Sequence, residues 1–118
     1  MTKSEYLKSV ENWQIQDSIV DRIEKVYSKN LPELLQRIVS HTDKPFFFDD
    51  GTHILSYTEV LKAEEELGVA FPEKYIIPVV DCCDGNYIVY DYQNKVWAIY
   101  NIIDDIIFNQ GNTLYELF

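Results

Sequence analysis

The chain has 118 residues, 47% hydrophobic and 25% charged, which suits one domain with its own core and leaves no room for a second. A formal net charge of −10 argues against nucleic acid or an anionic membrane as a partner and favours basic proteins or cations. No run approaches the ~18 apolar residues of a membrane helix, "MTKSEYLKSVENW" lacks the apolar centre of a signal peptide, and two adjacent cysteines are too few for a disulfide framework. The expectation is a cytoplasmic protein with free thiols.

The charge is unevenly placed. Residues 1–45 hold seven acids and seven bases, whereas residues 46–118 hold thirteen acids against Lys62, Lys74 and Lys95, so the whole net charge lies in the second part.

After Ser4, Tyr6, Leu7, Val10 and Trp13 repeat with helical spacing. Asp17 is placed to cap a second helix with the stripe Ile19, Val20, Ile23, Val26 and Tyr27. In "NLPELLQRIVS", Asn30 offers a cap, Pro32 an early helical proline and Glu33 a capping-box partner, with Leu31, Leu34, Leu35 and Ile38 as the buried face. Composition changes at Pro45. "PFFFDDGTHILS" reads as two short strands about Asp50-Gly51, a dipeptide that tolerates the positive φ of a tight hairpin. Ser56 and Glu59 then form a capping box for a helix running to Gly68, with Tyr57, Val60, Leu61 and Leu67 inward and Glu64, Glu65 and Glu66 in water.

From Tyr75 to Tyr100 the period becomes two. "YIIPVV", "NYIVYDY" and "VWAIYN" predict a meander of three antiparallel strands joined through "DCCDG" and "QNK". Alternation sets Tyr87, Val89 and Asp91 on one face of the middle strand and Ile88, Tyr90 and Tyr92 on the other. Both faces are largely apolar, so helices must cover one, and further chain or a partner must partly cover the other. The tail predicts a short extended piece at Ile106–Phe108 and a brief helix capped by Asn112. The fold class expected is α+β, with N-terminal helices packed on one face of a twisted, mainly antiparallel sheet.

The pair Cys82-Cys83, flanked by Asp81 and Asp84, invites a metal or redox reading. A zinc site draws on paired C-x₂₋₄-C or H-x₃₋₅-H elements. Adjacent strand residues point to opposite faces, and His41 and His53 lie in different elements, so no metal and no cofactor is expected. An EF-hand also fails, because Cys83 and Gly85 stand where oxygen ligands belong. Asp49-Asp50 and Asp104-Asp105 fall at turns, where aspartate serves the backbone more often than acid–base catalysis. No phosphate-binding loop, nucleophile elbow or basic aromatic patch is present. The expectation is a binding protein with no catalytic residues.

The order of features resembles the SUKH superfamily, which includes bacterial toxin-immunity proteins and a fungal regulator of cell-wall glucan synthesis. The resemblance rests on Ile77-Pro78, Asp81, Gly85-Asn86-Tyr87 and the strand ending at Asp91, with Leu31-Pro32 and Ile54-Leu55-Ser56 before them. It covers about residues 30–118, departing at "SHTDKPFF", where the family often has an Asn-Gly-Gly-like turn. It implies a non-catalytic α+β scaffold that binds and neutralises a cognate toxin, often a nuclease; the acidity of this chain favours a basic one. The alternative it implies is a regulatory protein-binding scaffold. Contacts are expected on Asp49, Asp50, Asp81, Asp84, Asp91, Asp104 and Asp105, with Tyr87 and Tyr92 as aromatic anchors. The chain is expected to be a monomer or weak homodimer.

Overall fold

In the computed structural model, which describes residues 1–118, Thr2 opens the first helix. Its hydroxyl accepts from Glu5 N–H, and Glu5 Oε1 accepts from Thr2 N–H, so α1 (Lys3–Val10) starts ahead of Ser4. Tyr6, Leu7 and Val10 are buried, and Trp13, beyond the helix, packs edge-on to Tyr6 at 5.4 Å. Asp17 is the first residue of α2 (Asp17–Val26) and not its cap. The residue at the cap, Gln16, is tied instead to Ser40 through its N–H (2.8 Å) and side-chain amide (2.6 Å).

Neither capping role expected before the third helix is played. Pro32 itself stands at the cap of α3 (Glu33–His41), and its carbonyl accepts from Gln36 N–H. Asn30 takes a left-handed φ of 63°, while Glu33 pairs with Arg37 one turn on (2.5 Å). Leu31, Leu35, Ile38 and Val39 are buried, and Leu34 only half so.

Asp50 and Gly51 turn β1 (Phe46–Phe47) back onto β2 (His53–Ile54), as the sequence indicates. The Ser56–Glu59 capping box is formed, but the helix after it breaks at Lys62 into α4 (Tyr57–Leu61) and α5 (Ala63–Leu67). The break lets neighbouring apolar residues serve different faces of the sheet, with Val60 in the larger core and Ala63 in the smaller. A 3₁₀ turn, Phe71–Lys74, leads to β3 (Ile76–Asp81), β4 (Asn86–Asp91), β5 (Val96–Asn101) and β6 (Ile106–Gly111).

The predicted three-strand meander is thus the middle of a six-stranded antiparallel sheet in the order β1 to β6. The tail adds a full strand, pairing Asn101 with Ile106 and Trp97 with Gly111. A 3₁₀ turn at Leu114–Glu116 replaces the expected helix, and Asn112 donates its N–H to Glu116 Oε2 (3.0 Å). Pro78 is tolerated inside β3 because β2 pairs only with Val80 and Asp81, and a register shift at Pro78–Val80 accommodates the missing donor.

Alternation then divides the core. Ile77, Val80, Ile88, Tyr90 and Trp97 join the buried residues of α1, α2, α3 and α4. On the opposite face Ile76, Tyr87, Val89, Ala98 and Tyr100 pack under Ala63 and Phe71. The second cover is therefore the chain itself. No helix is long and apolar enough to cross a membrane.

Candidate functional site

In a meander whose consecutive strands pair, connections alternate between the two ends of the sheet. The β1–β2, β3–β4 and β5–β6 turns consequently share one end. Bonds between them hold that end together. The Cys83 thiol donates to Gly51 O (2.8 Å), Ile102 N–H donates to Gly85 O (2.9 Å), and Asn101 Nδ2 donates to Asn86 Oδ1 (2.8 Å).

Six of the expected contact residues, Asp49, Asp50, Asp81, Asp84, Asp104 and Asp105, come together here. They differ in what they are free to do. Asp50 is bound by Lys3 Nζ (2.8 Å) and by the Thr52 hydroxyl and N–H, which together hold its carboxyl well below the usual carboxylate range. Asp105 pairs with Lys74 Nζ (2.8 Å) and accepts from Tyr100 OH (2.6 Å), so its pKa is lowered, while burial and that carboxylate raise the tyrosine's. Asp84 gives one oxygen to Asn86 N–H (3.0 Å) and is otherwise in water, and Asp49 and Asp104 make no ion pair. The exposed negative charge of the end without an ion pair is therefore Asp49, Asp84 and Asp104, while Asp81 is half-buried and accepts from Cys83 N–H.

Asp91 and Tyr92 sit at the opposite end. Asp91 is 5% exposed and accepts from the N–H groups of Gln93 and Asn94 and from Asn94 Nδ2. Tyr92 OH donates to Pro72 O (3.0 Å), with its ring edge-on to Tyr75. Asp91 braces the β4–β5 turn and Tyr92 ties it to the 3₁₀ turn at Phe71–Lys74, so the structure separates them from the surface to which the sequence assigned them. Tyr87 is buried beside Tyr100, on the face covered by Phe71. It shapes the end from beneath.

Residue-type reasoning passed over two isoleucines. Ile103 is 78% exposed and Ile106 50%, and the Ile103 side chain lies over Gly85, between the Asp84 and Asp104 turns. An apolar pair flanking Asp104-Asp105 in the sequence is the signal that could have marked them. They put exposed apolar surface at the same end of the sheet as the unpaired acids.

The cysteines diverge as expected. Cys82 is half-buried against the larger core, and burial, with Asp84 and Asp81 nearby, pushes its thiol up to about 11. Cys83 is exposed, takes φ 64° and has its N–H held by Asp81 Oδ1 (2.8 Å); its thiol is also raised, by desolvation and then by Asp81, Asp50 and Asp84. A raised thiol pKa is the reverse of what activates a cysteine nucleophile. His41 is engaged elsewhere, with Gln14 O (2.5 Å). His53, by contrast, is brought beside Cys83, because the β2–β3 register sets it opposite Asp81.

Comparison with family models, with curated proteins and with solved structures returns no match for this chain.

Proposed function

We propose that the chain is a binding protein of the immunity type, which captures a basic protein toxin, a nuclease domain being the expected kind, on the hairpin end of its sheet. The observation that carries this reading is that Asp49, Asp84 and Asp104, all exposed and without ion pairs, lie at the same end of the sheet as exposed Ile103 and Ile106. Interfaces combine an apolar centre with a charged rim in this way. A nuclease must be basic to hold phosphates, so an acidic partner gains steering, with association faster by about 10- to 1000-fold at low salt. Occlusion of the toxin would suffice, and no catalytic group of this chain is called upon.

The test is binding to the product of the adjacent gene, measured against salt. Changing Asp49, Asp84 and Asp104 together to Asn is expected to slow association on the order of 10-fold at low salt. Changing Glu64, Glu65 and Glu66 to Gln removes the same charge from α5, beside Tyr27 and Pro72, and should slow it much less. Equal effects of the two triple changes, or none from either, would sink the surface assignment. Capture of several cellular proteins and no toxin would favour the regulatory scaffold.

A further inference from the structure

His53 is a buried polar residue that its own chain leaves unsatisfied. Only 8% of it is exposed, and Nδ1 has no hydrogen-bond partner. Nε2 faces Glu59 Oε2 at 3.8 Å and Asp81 Oδ2 at 4.0 Å, beyond hydrogen-bond range. Neither carboxylate is paired with a lysine or arginine. Nε2 and two carboxylates therefore converge with no cation among them.

A third donor completes the set. A ring nitrogen of His53, a carboxylate oxygen of Asp81 and Sγ of Cys83 all lie within 4.8 Å of one another. Separate features of the fold place each of them. The β2–β3 register sets His53 opposite Asp81, and the left-handed Cys83, whose N–H is bound to Asp81 Oδ1, turns its thiol back toward Gly51. The Phe47 ring packs against the imidazole at 4.6 Å and fixes its plane.

We propose that His53, Asp81 and Cys83 form a binding site for one divalent transition-metal ion of the zinc type, with Glu59 Oε2 or a water as the fourth donor. With metal–ligand distances of about 2.0–2.3 Å, tetrahedral donors stand roughly 3.3–3.8 Å apart. For the nitrogen and oxygen donors the expected separation is about 3.3–3.5 Å, so the Nε2 to Asp81 Oδ2 distance of 4.0 Å closes by roughly half an ångström when the half-buried carboxylate rotates inward. The wider spacing to sulfur closes by rotation of the exposed Cys83 side chain, which exchanges its bond to Gly51 O for a bond to the metal. The thiol proton leaves to solvent as the sulfur–metal bond forms, and nothing is oxidised or reduced. Nitrogen, sulfur and oxygen donors select zinc, cobalt or nickel over calcium and magnesium, which require oxygen shells. The site is independent of the toxin-binding reading, since it rests on the β2–β3 register and the turn at Cys83.

Cobalt(II) titration of the reduced full chain tests it. The expected result is sulfur-to-cobalt charge-transfer absorption with visible d–d bands, saturating at a single equivalent and displaced by zinc. Cys83→Ser should abolish the charge-transfer band and weaken binding on the order of 10-fold or more, while Cys82→Ser leaves both unchanged. His53→Gln should weaken binding similarly. Because Cys83 is exposed, its serine variant keeps the test valid even where the His53 variant fails to fold. The proposal is overturned by an absence of saturable binding, or by a charge-transfer band that survives Cys83→Ser or depends on Cys82.

Discussion

Replacing Gly85 by alanine tests whether the β3–β4 turn and Ile103 act as one unit. Gly85 has φ +87°, where a Cβ costs roughly 1–2 kcal/mol in backbone strain. That Cβ would also stand 2.9 Å from Ile103 Cδ1 and 3.3 Å from Cγ1. Ile103 is mostly in water and can swing aside, so the steric part is limited to about 0.5–1 kcal/mol of rotamer strain and lost contact. Gly51 is the internal control, with φ +90° and nothing within 4 Å of an added Cβ. Urea unfolding should give a loss of about 1–2 kcal/mol for Gly51→Ala and roughly 0.5–1 kcal/mol more for Gly85→Ala. Adding Ile103→Ala to Gly85→Ala should recover the excess over the Ile103→Ala single change. The reasoning is refuted if Gly85→Ala costs no more than Gly51→Ala, or if the excess survives the loss of the Ile103 side chain.

Three further predictions concern stability. The Tyr6 hydroxyl is buried without a partner beside Thr42, whose own hydroxyl donates to Ile38 O (2.6 Å), so Tyr6→Phe should stabilise the fold by about 1 kcal/mol in urea unfolding. Burial also pushes the Tyr6 pKa from 10.0 up to about 12; the unfolded chain therefore gives up this proton first and stability falls as pH rises from 10 to 12, a limb the phenylalanine variant should flatten. Ser56→Ala removes the acceptor of Glu59 N–H and the anchor of α4 and should cost about 1 kcal/mol, read from the urea midpoint. Asp50 and Asp105 have lowered pKa values, so the stability they lend is present at neutral pH and begins to be lost as pH falls through 3.8. Lys3→Met and Lys74→Met should each reduce that acid slope.

Much of the fold is legible in local signals because local physics decides it. The Ser56–Glu59 cap, the Asp50-Gly51 turn and the period-two runs of β3, β4 and β5 need only neighbours in the chain, and each forms where the sequence indicates. The errors fall where long-range pairing competes. Ile106–Gly111 has too little alternation to declare a full strand, yet β5 offers it an open edge. Asn30 and Asp17 carry the right chemistry for caps, but Pro32 and the Gln16–Ser40 bonds fix those entries otherwise. Asp91 has the same side chain as Asp84; only burial at the far end of the sheet makes it a turn brace rather than a surface acid.

By itself, then, the sequence determined the α+β class, the concentration of acid in residues 46–118 and the places where the chain turns, since composition and short-range stereochemistry suffice for these. Which turns meet, and what they bring together, was decided by the tertiary structure. Strand order sends alternate connections to opposite ends, so Asp49, Asp84 and Asp104 fall at one end of the sheet while Asp91 and Tyr92 fall at the other. Register does the same for chemistry. Spacing along the chain offers Cys82 and Cys83 no ligand partners, but the pairing of His53 with Asp81 carries an imidazole across the sheet to Cys83, a neighbour that no periodicity within one segment can reveal.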